Sequence, residues 1–238
     1  MIAPDASQVS PLHRERLETV TALLLTHGVR SVCDLGCGSG ALLERLMDET
    51  QFETLIGLDQ SPMALDRLRS RIGADGSGGR VRLMLGSFTE IQPLLTGLDA
   101  AVLMETLEHV EPDRLSLVER AVFGAARPGL VVITTPNVES NTLLGLGPGR
   151  RRHPDHRFEW PRARFAAWAA GVGKRNGYAV TWGEIGWSHP RLGAPTQMAS
   201  FTRAPATAEL EPSLRPAVPA GNLFPARPAG AMTNRQGA

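Results

Sequence analysis

The sequence is poor in cysteine, carries little net charge and contains no long hydrophobic run. Its 238 residues include two cysteines, Cys33 and Cys37, which excludes a disulfide framework or a four-thiolate zinc site. The net charge of +1 gives no global signal for a polyanionic partner, so any basic function must be local. No stretch approaches membrane-spanning length, and residues 1–10 lack the basic and apolar regions of a signal peptide. We therefore expect a cytoplasmic protein that does not associate with membranes.

Short apolar runs alternate with helical patterns along most of the chain. This alternation is typical of an α/β fold, in which a mostly parallel sheet is flanked by helices. Proline at a first helical position and glycine after a last one support several of the helix boundaries. The predicted strands are Ser31–Leu35, Thr54–Asp59, Val81–Gly86, Ala100–Glu105, Leu130–Thr135, Ala179–Glu184 and roughly Met198–Thr202. The predicted helices are Val9–His27, Ala41–Asp48, Pro62–Ile72, Pro112–Ala126 and Pro161–Asn176.

Two segments depart from this alternation. Residues 137–152 are rich in glycine and end in three arginines, and a loop of that length within a compact domain is usually functional or disordered. From Ala204 onward, proline, alanine and glycine dominate, so the segment cannot bury enough apolar surface to offset its ordering entropy. We therefore predict one domain over residues 1–203 and a disordered tail over residues 204–238.

The segment Val32–Gly40 predicts a site for a nucleotide-like ligand. An apolar strand runs into a turn with three glycines, where the backbone can bend sharply and approach a ligand closely. Asp59 ends the next strand, where a carboxylate can accept hydrogen bonds from ribose hydroxyls. The spacing G-x-G-x-G differs from the dinucleotide pattern, and Asp34 would repel a pyrophosphate but suit a cationic amino group. A glycine-rich turn without a ligand is the alternative.

This segment resembles motif I of class I S-adenosylmethionine-dependent methyltransferases, which have a Rossmann-like fold with a seven-stranded sheet. The resemblance implies that S-adenosylmethionine is the cofactor. The residues that would surround its methionine part are Asp34, Gly36 and Gly38. Asp59 would bind the ribose, and Ser87 and Phe88, after the third strand, would flank the adenine.

The segment Glu105–His109 places two carboxylates and an imidazole on one face of a helical turn. These groups follow the fourth strand, and open α/β sheets build their sites at the carboxyl ends of strands. Glu105, Glu108 and His109 suit a divalent cation, although acids at a helix start can also simply complement the helix dipole. A similar E-x-x-E-H stretch occurs in small-molecule methyltransferases, so this segment alone does not define the substrate.

Residues 153–160, with the sequence His-Pro-Asp-His-Arg-Phe-Glu-Trp, offer further imidazoles among arginines. The block from Asp155 to Trp160, followed by Arg162, Phe165 and Trp168, closely resembles a block in the small RNA 3′-terminal ribose 2′-O-methyltransferases. The resemblance covers about residues 9–203. It includes Glu105–His109, Thr135–Asn137 and Pro195–Ala199.

This second resemblance implies metal-dependent methyl transfer to an RNA 3′ end. In that family two glutamates and two histidines hold Mn²⁺ or Mg²⁺, and the imidazoles favour Mn²⁺. The cation would bind both hydroxyls of a terminal 2′,3′-diol and lower their pKa. An internal ribose has no free 3′-hydroxyl, which would explain selection of the 3′ end. The implied catalytic and metal-binding residues are Glu105, Glu108, His109 and His156, with His153 competing with His156.

The arginines near these imidazoles are predicted to contact RNA phosphates, with a solvated charge run as the alternative. They are Arg150, Arg151, Arg152 and Arg157. The neighbouring aromatic residues are expected to form the core beneath the following helix rather than a base-stacking platform. They are Phe158, Trp160, Phe165 and Trp168. Bacterial members of the resembling family work with an RNA-repair ligase and kinase, so such proteins are the expected partners.

Other functions are also compatible with the sequence. A small-molecule O-methyltransferase acting on a catechol-like diol could use the same metal, but a neutral aromatic substrate needs no arginine-rich loop. A non-catalytic RNA-binding subunit of a repair complex is a further alternative, which the presence of Asp34, Asp59 and all four candidate ligands disfavours. A dehydrogenase is the most distant interpretation, because the glycine spacing differs from that of dinucleotide sites.

Overall fold

The computed structural model describes residues 10–73 and 79–203, and within this part seven strands form one sheet. The spatial order is β3-β2-β1-β4-β5-β7-β6, with β1 to β5 parallel and β7 antiparallel to both β5 and β6. The prediction of a seven-stranded, mostly parallel sheet is confirmed. The strands are β1 Ser31–Leu35, β2 Thr54–Asp59, β3 Val81–Leu85, β4 Ala100–Met104, β5 Leu130–Pro136, β6 Tyr178–Ile185 and β7 Thr196–Arg203.

The helices begin where the sequence offers caps. Ser10 and Ser61 are N-caps, and each hydroxyl accepts a hydrogen bond at 3.2 Å from the backbone amide three residues on, those of His13 and Ala64. Pro161 is the N-cap of its helix rather than the first helical residue. The α-helices are α1 Pro11–Thr26, α2 Ala41–Met47, α3 Pro62–Ile72, α4 Leu115–Val118 and α5 Arg162–Asn176. Val9 and the predicted tail, residues 204–238, lie outside the described residues.

The fourth predicted helix, Pro112–Ala126, is not one regular α-helix. It starts with a 3₁₀ turn over Pro112–Arg114, continues as α4, and widens into a π-helix over Glu119–Ala126. The amide of Arg127 donates to the carbonyl of Val122, five residues earlier, at 2.9 Å. Over one or two turns the apolar spacing does not distinguish three helix types, so the sequence pattern predicted helix but the wrong kind.

The segment of residues 137–152, expected to be a functional or disordered loop, contains a 3₁₀ helix over Val138–Leu144. The Asn137 side chain caps this helix by accepting a hydrogen bond from the amide of Glu139 at 3.0 Å. The guanidinium of Arg152 then closes the loop by donating to the Asn137 carbonyl at 2.7 Å and to Asn141 Oδ1 at 2.7 Å. Capping and an internal arginine therefore order a segment that was predicted to be a functional or disordered loop.

Two hydrophobic clusters lie on the two faces of the sheet. Residues of α1, α2 and α3 pack with β1 and β2 on one face, around Leu24, Leu43 and Leu68. The π-helix and α5 cover the other face around Phe123 and Phe165. The carboxyl ends of the parallel strands are left at one edge, where α/β folds bind ligands.

Across residues 10–73 and 79–203, no helix combines the length and hydrophobicity needed to cross a bilayer.

Candidate active site

A cleft of about 610 Å³ opens at the carboxyl ends of β1 to β4. Its walls combine the glycine turn after β1 with the segments that follow β2, β3 and β4. Five of the six predicted cofactor-binding residues line this cleft together. They are Gly36, Gly38, Asp59, Ser87 and Phe88. The cleft continues past Glu105 and Thr106 to His109, so two of the four metal candidates share this cavity with the cofactor candidates.

The glycine turn after β1 has a conformation that requires glycine. Gly36 and Gly38 have φ angles of 81° and 50°, in the left-handed region. A Cβ at Gly36 would lie 2.7 Å from Cγ2 of Thr106, whereas one at Gly38 would meet no atom within 4 Å. Asp59 fixes this turn, because its Oδ2 accepts a hydrogen bond from the amide of Gly38 at 2.8 Å. The turn is thereby a cradle into which a ligand can approach the backbone closely.

Asp34, the sixth predicted cofactor residue, is buried near the end of β1 and is only 3% exposed. Burial, together with the nearby charge of Asp59, raises the pKa of Asp34 to about 7. A cationic amino group placed beside this carboxyl would favour its ionised form. The role of Asp34 beside a cationic group stays a prediction.

Glu108, His109 and His156 come together beyond the glycine turn. One ligand atom of each lies within 4.8 Å of the others, which is the arrangement expected of residues that share a metal ion. Glu108 has no exposed surface, and its Oε2 accepts a hydrogen bond from Thr135 Oγ1 at 3.0 Å. Its Oε1 is buried without a partner among the described residues. An unpaired buried carboxylate oxygen is costly, so this donor set fits a divalent cation.

The orientation of His156 is set by a second carboxylate. His156 Nδ1 lies 2.6 Å from Oε1 of Glu159, and both side chains are nearly inaccessible. Burial works to raise the pKa of Glu159, but hydrogen bonds from His156, Asn141 and the Arg152 amide outweigh it and lower the pKa. With Nδ1 so engaged, Nε2 of His156 is the atom left to face Glu108, at 4.0 Å from its Oε1.

The surroundings of this cluster favour the uncharged forms of Glu108 and His109. Burial and the neighbouring Glu105 raise the pKa of Glu108 well above its usual value. Burial lowers the pKa of His109, and the neighbouring imidazoles of His156 and His153 act in the same direction. A bound cation would reverse the first effect by stabilising the ionised carboxylate. It would also favour the neutral imidazole, which is the form that ligates metals.

Glu105, the fourth predicted ligand, is not part of this close set. Its φ angle is 54°, an uncommon value for a non-glycine residue, and its carboxylate pairs with Arg16 at 2.7 Å. The other carboxylate oxygen accepts a hydrogen bond from Thr134 Oγ1 at 3.0 Å. Glu105 still lines the cleft, and burial raises its pKa although Arg16 acts in the opposite direction. Both of its oxygens thus have protein partners, whereas Oε1 of Glu108 has none among the described residues.

His153, the competing imidazole, is exposed at the mouth of the site. Its ring centroid lies 6.0 Å from that of His109 and 5.6 Å from that of His156. Its Nδ1 accepts a hydrogen bond from the amide of Asp155 at 3.2 Å. Among the described residues, the close ligand set contains His156 and not His153.

Four further residues hold the site residues in place, and no role was predicted for any of them. They are Arg16, Thr134, Thr135 and Glu159. Thr135 and Glu159 stand in segments that carry the family resemblance, which offers a signal for them. Arg16 lies on α1, 89 residues from Glu105, and no spacing in the sequence connects the two. Arg16 is one of several charged residues on α1, so its composition gives no signal either.

The four predicted RNA-contacting arginines occupy different environments. Arg157 is exposed and lines the cleft, where it pairs with Glu111 at 3.3 Å. Arg151 donates to the carbonyl of His156 at 2.6 Å, and Arg152 holds the preceding loop as described above. Arg150 is exposed and lies outside the cleft-lining residues.

The aromatic residues of the same segment form core, as predicted. Phe158, Trp160 and Phe165 are buried, and Trp168 packs against them while partly exposed. Phe158 and Trp160 stack with their ring centroids 4.2 Å apart. This packing fixes the backbone that carries His156 and Glu159 into the site.

Comparison with known proteins places this chain in a family. A model described as a methyltransferase domain matches residues 32–129. The small RNA 2′-O-methyltransferase of Arabidopsis thaliana is 32% identical over 87% of this chain and 24% of its own length. That of Gallus gallus is 35% identical over 81% of this chain and 54% of its own length. The chain therefore spans about a quarter and about half of these two relatives.

A solved structure extends this similarity to a complete domain. The methyltransferase domain of bacterial CtHen1-C is 37% identical to this chain, with a TM-score of 0.74. The match covers 82% of this chain and all of that domain. The sheet order, the glycine turn and the carboxylate–imidazole cluster described above are thus found in a chain that belongs to the Hen1 family of methyltransferases.

Proposed function

We propose that this protein transfers a methyl group from S-adenosylmethionine to the 2′-hydroxyl of the 3′-terminal ribose of RNA, with the help of Mn²⁺ or Mg²⁺. The observation that carries the proposal is the cluster of Glu108, His109 and His156, which reaches the cleft of the glycine turn through His109. Relatives named small RNA 2′-O-methyltransferases support the choice of acceptor.

The residues of the glycine turn would hold the methyl donor. Gly36 and Gly38 present a backbone surface without side chains. Asp59 uses its two oxygens to accept from the amides of Gly38 and Ser61, both at 2.8 Å, and each oxygen keeps a further lone pair for a ribose hydroxyl. Asp34 supplies a buried carboxyl for the amino group of the methionine part. S-adenosylmethionine, when bound, supplies the electrophilic methyl group.

The cation would be held by Glu108, His109 and His156, with Glu105 as the fourth ligand. Glu108 offers the oxygen that lacks a protein partner, and Glu159 turns Nε2 of His156 toward it. When bound, the cation would lower the pKa of a sugar hydroxyl and favour its attack on the methyl group. The chain itself places two anionic and two neutral metal ligands beside the cleft for the methyl donor, and it keeps water away from Glu108.

The proposal predicts a specific product, which chemical mapping can identify. The protein would be incubated with labelled S-adenosylmethionine, Mn²⁺ and a short single-stranded RNA with a free 3′ end. A methylated 2′-hydroxyl removes the terminal vicinal diol, so the product should resist periodate cleavage. Label in a product that periodate still cleaves would contradict the proposal, because the methyl group would then lie elsewhere.

A matched pair of variants assigns the reaction to the cluster. Glu108→Gln should abolish metal-dependent transfer while binding of S-adenosylmethionine stays nearly unchanged, because Glu108 lies outside the cleft lining around the glycine turn. Glu119→Gln changes a carboxylate that pairs with Arg175 away from the cleft, and it should leave transfer unchanged. Association with an RNA-repair ligase and kinase, and the cytoplasmic location, stay predictions.

A further inference from the structure

The cleft does not end at the metal cluster. Beyond His109 and Val110 its wall continues over Glu111 and Arg114, and Arg157 completes it from the segment that carries His156. Both arginines are exposed. This part of the wall therefore carries two arginines and one glutamate, in a protein whose net charge is only +1.

Backbone hydrogen bonds fix the positions of the two arginines relative to the metal cluster. The amide of Arg157 donates to the carbonyl of Glu108 at 2.7 Å, which ties the two ligand-bearing segments together. Arg114 ends the 3₁₀ turn that follows Glu108 and His109, where its amide donates to the carbonyl of Glu111 at 2.8 Å. An anion held by these side chains would keep a fixed position relative to the reacting group.

Their guanidinium groups have little else to bind. Within residues 10–73 and 79–203, the side chain of Arg114 makes no hydrogen bond or ion pair, and that of Arg157 makes one ion pair, with Glu111 at 3.3 Å. Both partners of that pair are about half exposed, and exposed pairs of this kind contribute little free energy. A phosphate could replace Glu111 at small cost.

The arginines predicted from the sequence are less suited to this task. The guanidinium of Arg152 donates hydrogen bonds to Asn137, Ser140 and Asn141, and that of Arg151 donates to the carbonyl of His156. These contacts hold the protein's own loop together. Arg150 is exposed but does not line the cleft.

We propose that Arg114 and Arg157 bind the phosphodiester on the 5′ side of the terminal ribose, and that Arg114, not the run of Arg150 to Arg152, is the second cation of the RNA track. The inference rests on the proposed function and names how the RNA backbone is held at that site. Guanidinium groups bind phosphate oxygens in a bidentate manner. Such contacts would set the register of the 3′ end without reading sequence.

The test measures RNA affinity as a function of salt. A fluorescent single-stranded RNA ending in a 2′,3′-diol would be titrated with the wild-type protein, Arg114→Gln, Arg157→Gln and Arg120→Gln. Arg120 is exposed on the π-helix outside the cleft, so it is the matched control. Each cleft variant should weaken binding roughly tenfold near 0.1 M salt and reduce the slope of log K against log salt by about 0.7 to 1. Arg120→Gln should change neither.

A fourth variant tests the role of Glu111. Glu111→Gln releases Arg157 from its carboxylate, so it should strengthen RNA binding several-fold. Affinity for S-adenosylmethionine should stay unchanged in all four variants.

Several results would overturn the inference. RNA affinity that is unchanged in Arg114→Gln, or absent in the wild type, would remove Arg114 from the RNA track. A loss of affinity for S-adenosylmethionine in Arg114→Gln would assign this wall to the cofactor instead. Failure of the proposed function can be told apart from failure of this inference, because methyl transfer by the wild type is measured separately. RNA binding with the predicted slopes but without transfer would contradict the proposed function and leave the inference standing.

Discussion

Replacing Glu159 by glutamine should weaken metal binding, although no proposed metal ligand is itself changed. Glu159 Oε1 lies 2.6 Å from His156 Nδ1, and the two side chains are 1% and 9% exposed. The lowered pKa of Glu159 keeps its carboxylate ionised at neutral pH. A buried hydrogen bond to a charged group is worth about 1.5–3 kcal/mol. At 1.4 kcal/mol for each factor of ten, its loss corresponds to a roughly 10–100-fold weaker cation site.

The substitution also has a cost in stability, which must be measured separately. Glu159 Oε1 accepts from the amide of Arg152 at 2.7 Å, and Oε2 accepts from Asn141 Nδ2 at 2.6 Å. A glutamine must present its NH₂ group to one of these donors, so we expect a loss of about 1–3 kcal/mol in the free energy of unfolding. Urea denaturation in the absence of metal measures this loss.

The decisive assay is the binding of Mn²⁺, followed by the paramagnetic resonance signal of the free ion. The wild type and Glu159→Gln would be compared at neutral pH, with Glu119→Gln as a control carboxylate outside the cleft. S-adenosylmethionine affinity should be equal in all three, since Glu159 lies outside the cofactor end of the cleft. Unchanged Mn²⁺ affinity in a folded Glu159→Gln protein would refute the argument that this carboxylate orients His156.

Three further predictions concern other parts of the site. Because the pKa of Asp34 is raised to about 7, the ionised fraction of its carboxyl should fall about tenfold from pH 8 to pH 6. The affinity of the metal-free protein for S-adenosylmethionine should fall with it. Asp34→Asn should remove this pH dependence in calorimetric titrations. Arg16→Gln leaves Glu105 uncompensated and should cost roughly 3 kcal/mol of unfolding free energy, less when combined with Glu105→Gln; additive losses in urea denaturation would contradict this. Gly36→Ala should abolish S-adenosylmethionine binding, whereas Gly97→Ala, at a φ of 84° with open space, should only lower stability; equal binding by both would contradict the cradle.

The fold could be predicted because its signals are local. The bounds of β1 and β2 match the prediction to the residue, since each is an apolar run that ends at a turn or an acid. The kind of helix over Glu119–Ala126 could not be predicted, because π-type bonding depends on packing rather than on apolar spacing. The ordered turn over Val138–Leu144 was missed for a similar reason: its stability comes from Arg152, fourteen residues beyond its start.

The candidate site was predictable as a set of residues but not as an arrangement. Glu108 and His156 are 48 positions apart, and the sequence placed them together only through a family resemblance. The physical link is the hydrogen bond from the amide of Arg157 to the carbonyl of Glu108, which no pattern shows. The pairing of Glu105 with Arg16 depends on a left-handed backbone at Glu105 and on the docking of α1, so it required the structure.

In the proposed reaction, the terminal ribose is methylated because it carries two adjacent free hydroxyls. The most direct measurement compares methyl transfer, with Mn²⁺ present, to three otherwise identical RNAs that end in a 2′,3′-diol, a 2′-deoxyribose or a 3′-phosphate. We predict transfer to the diol alone. Transfer to all three RNAs, or to the 3′-phosphate RNA as fast as to the diol, would contradict the claim.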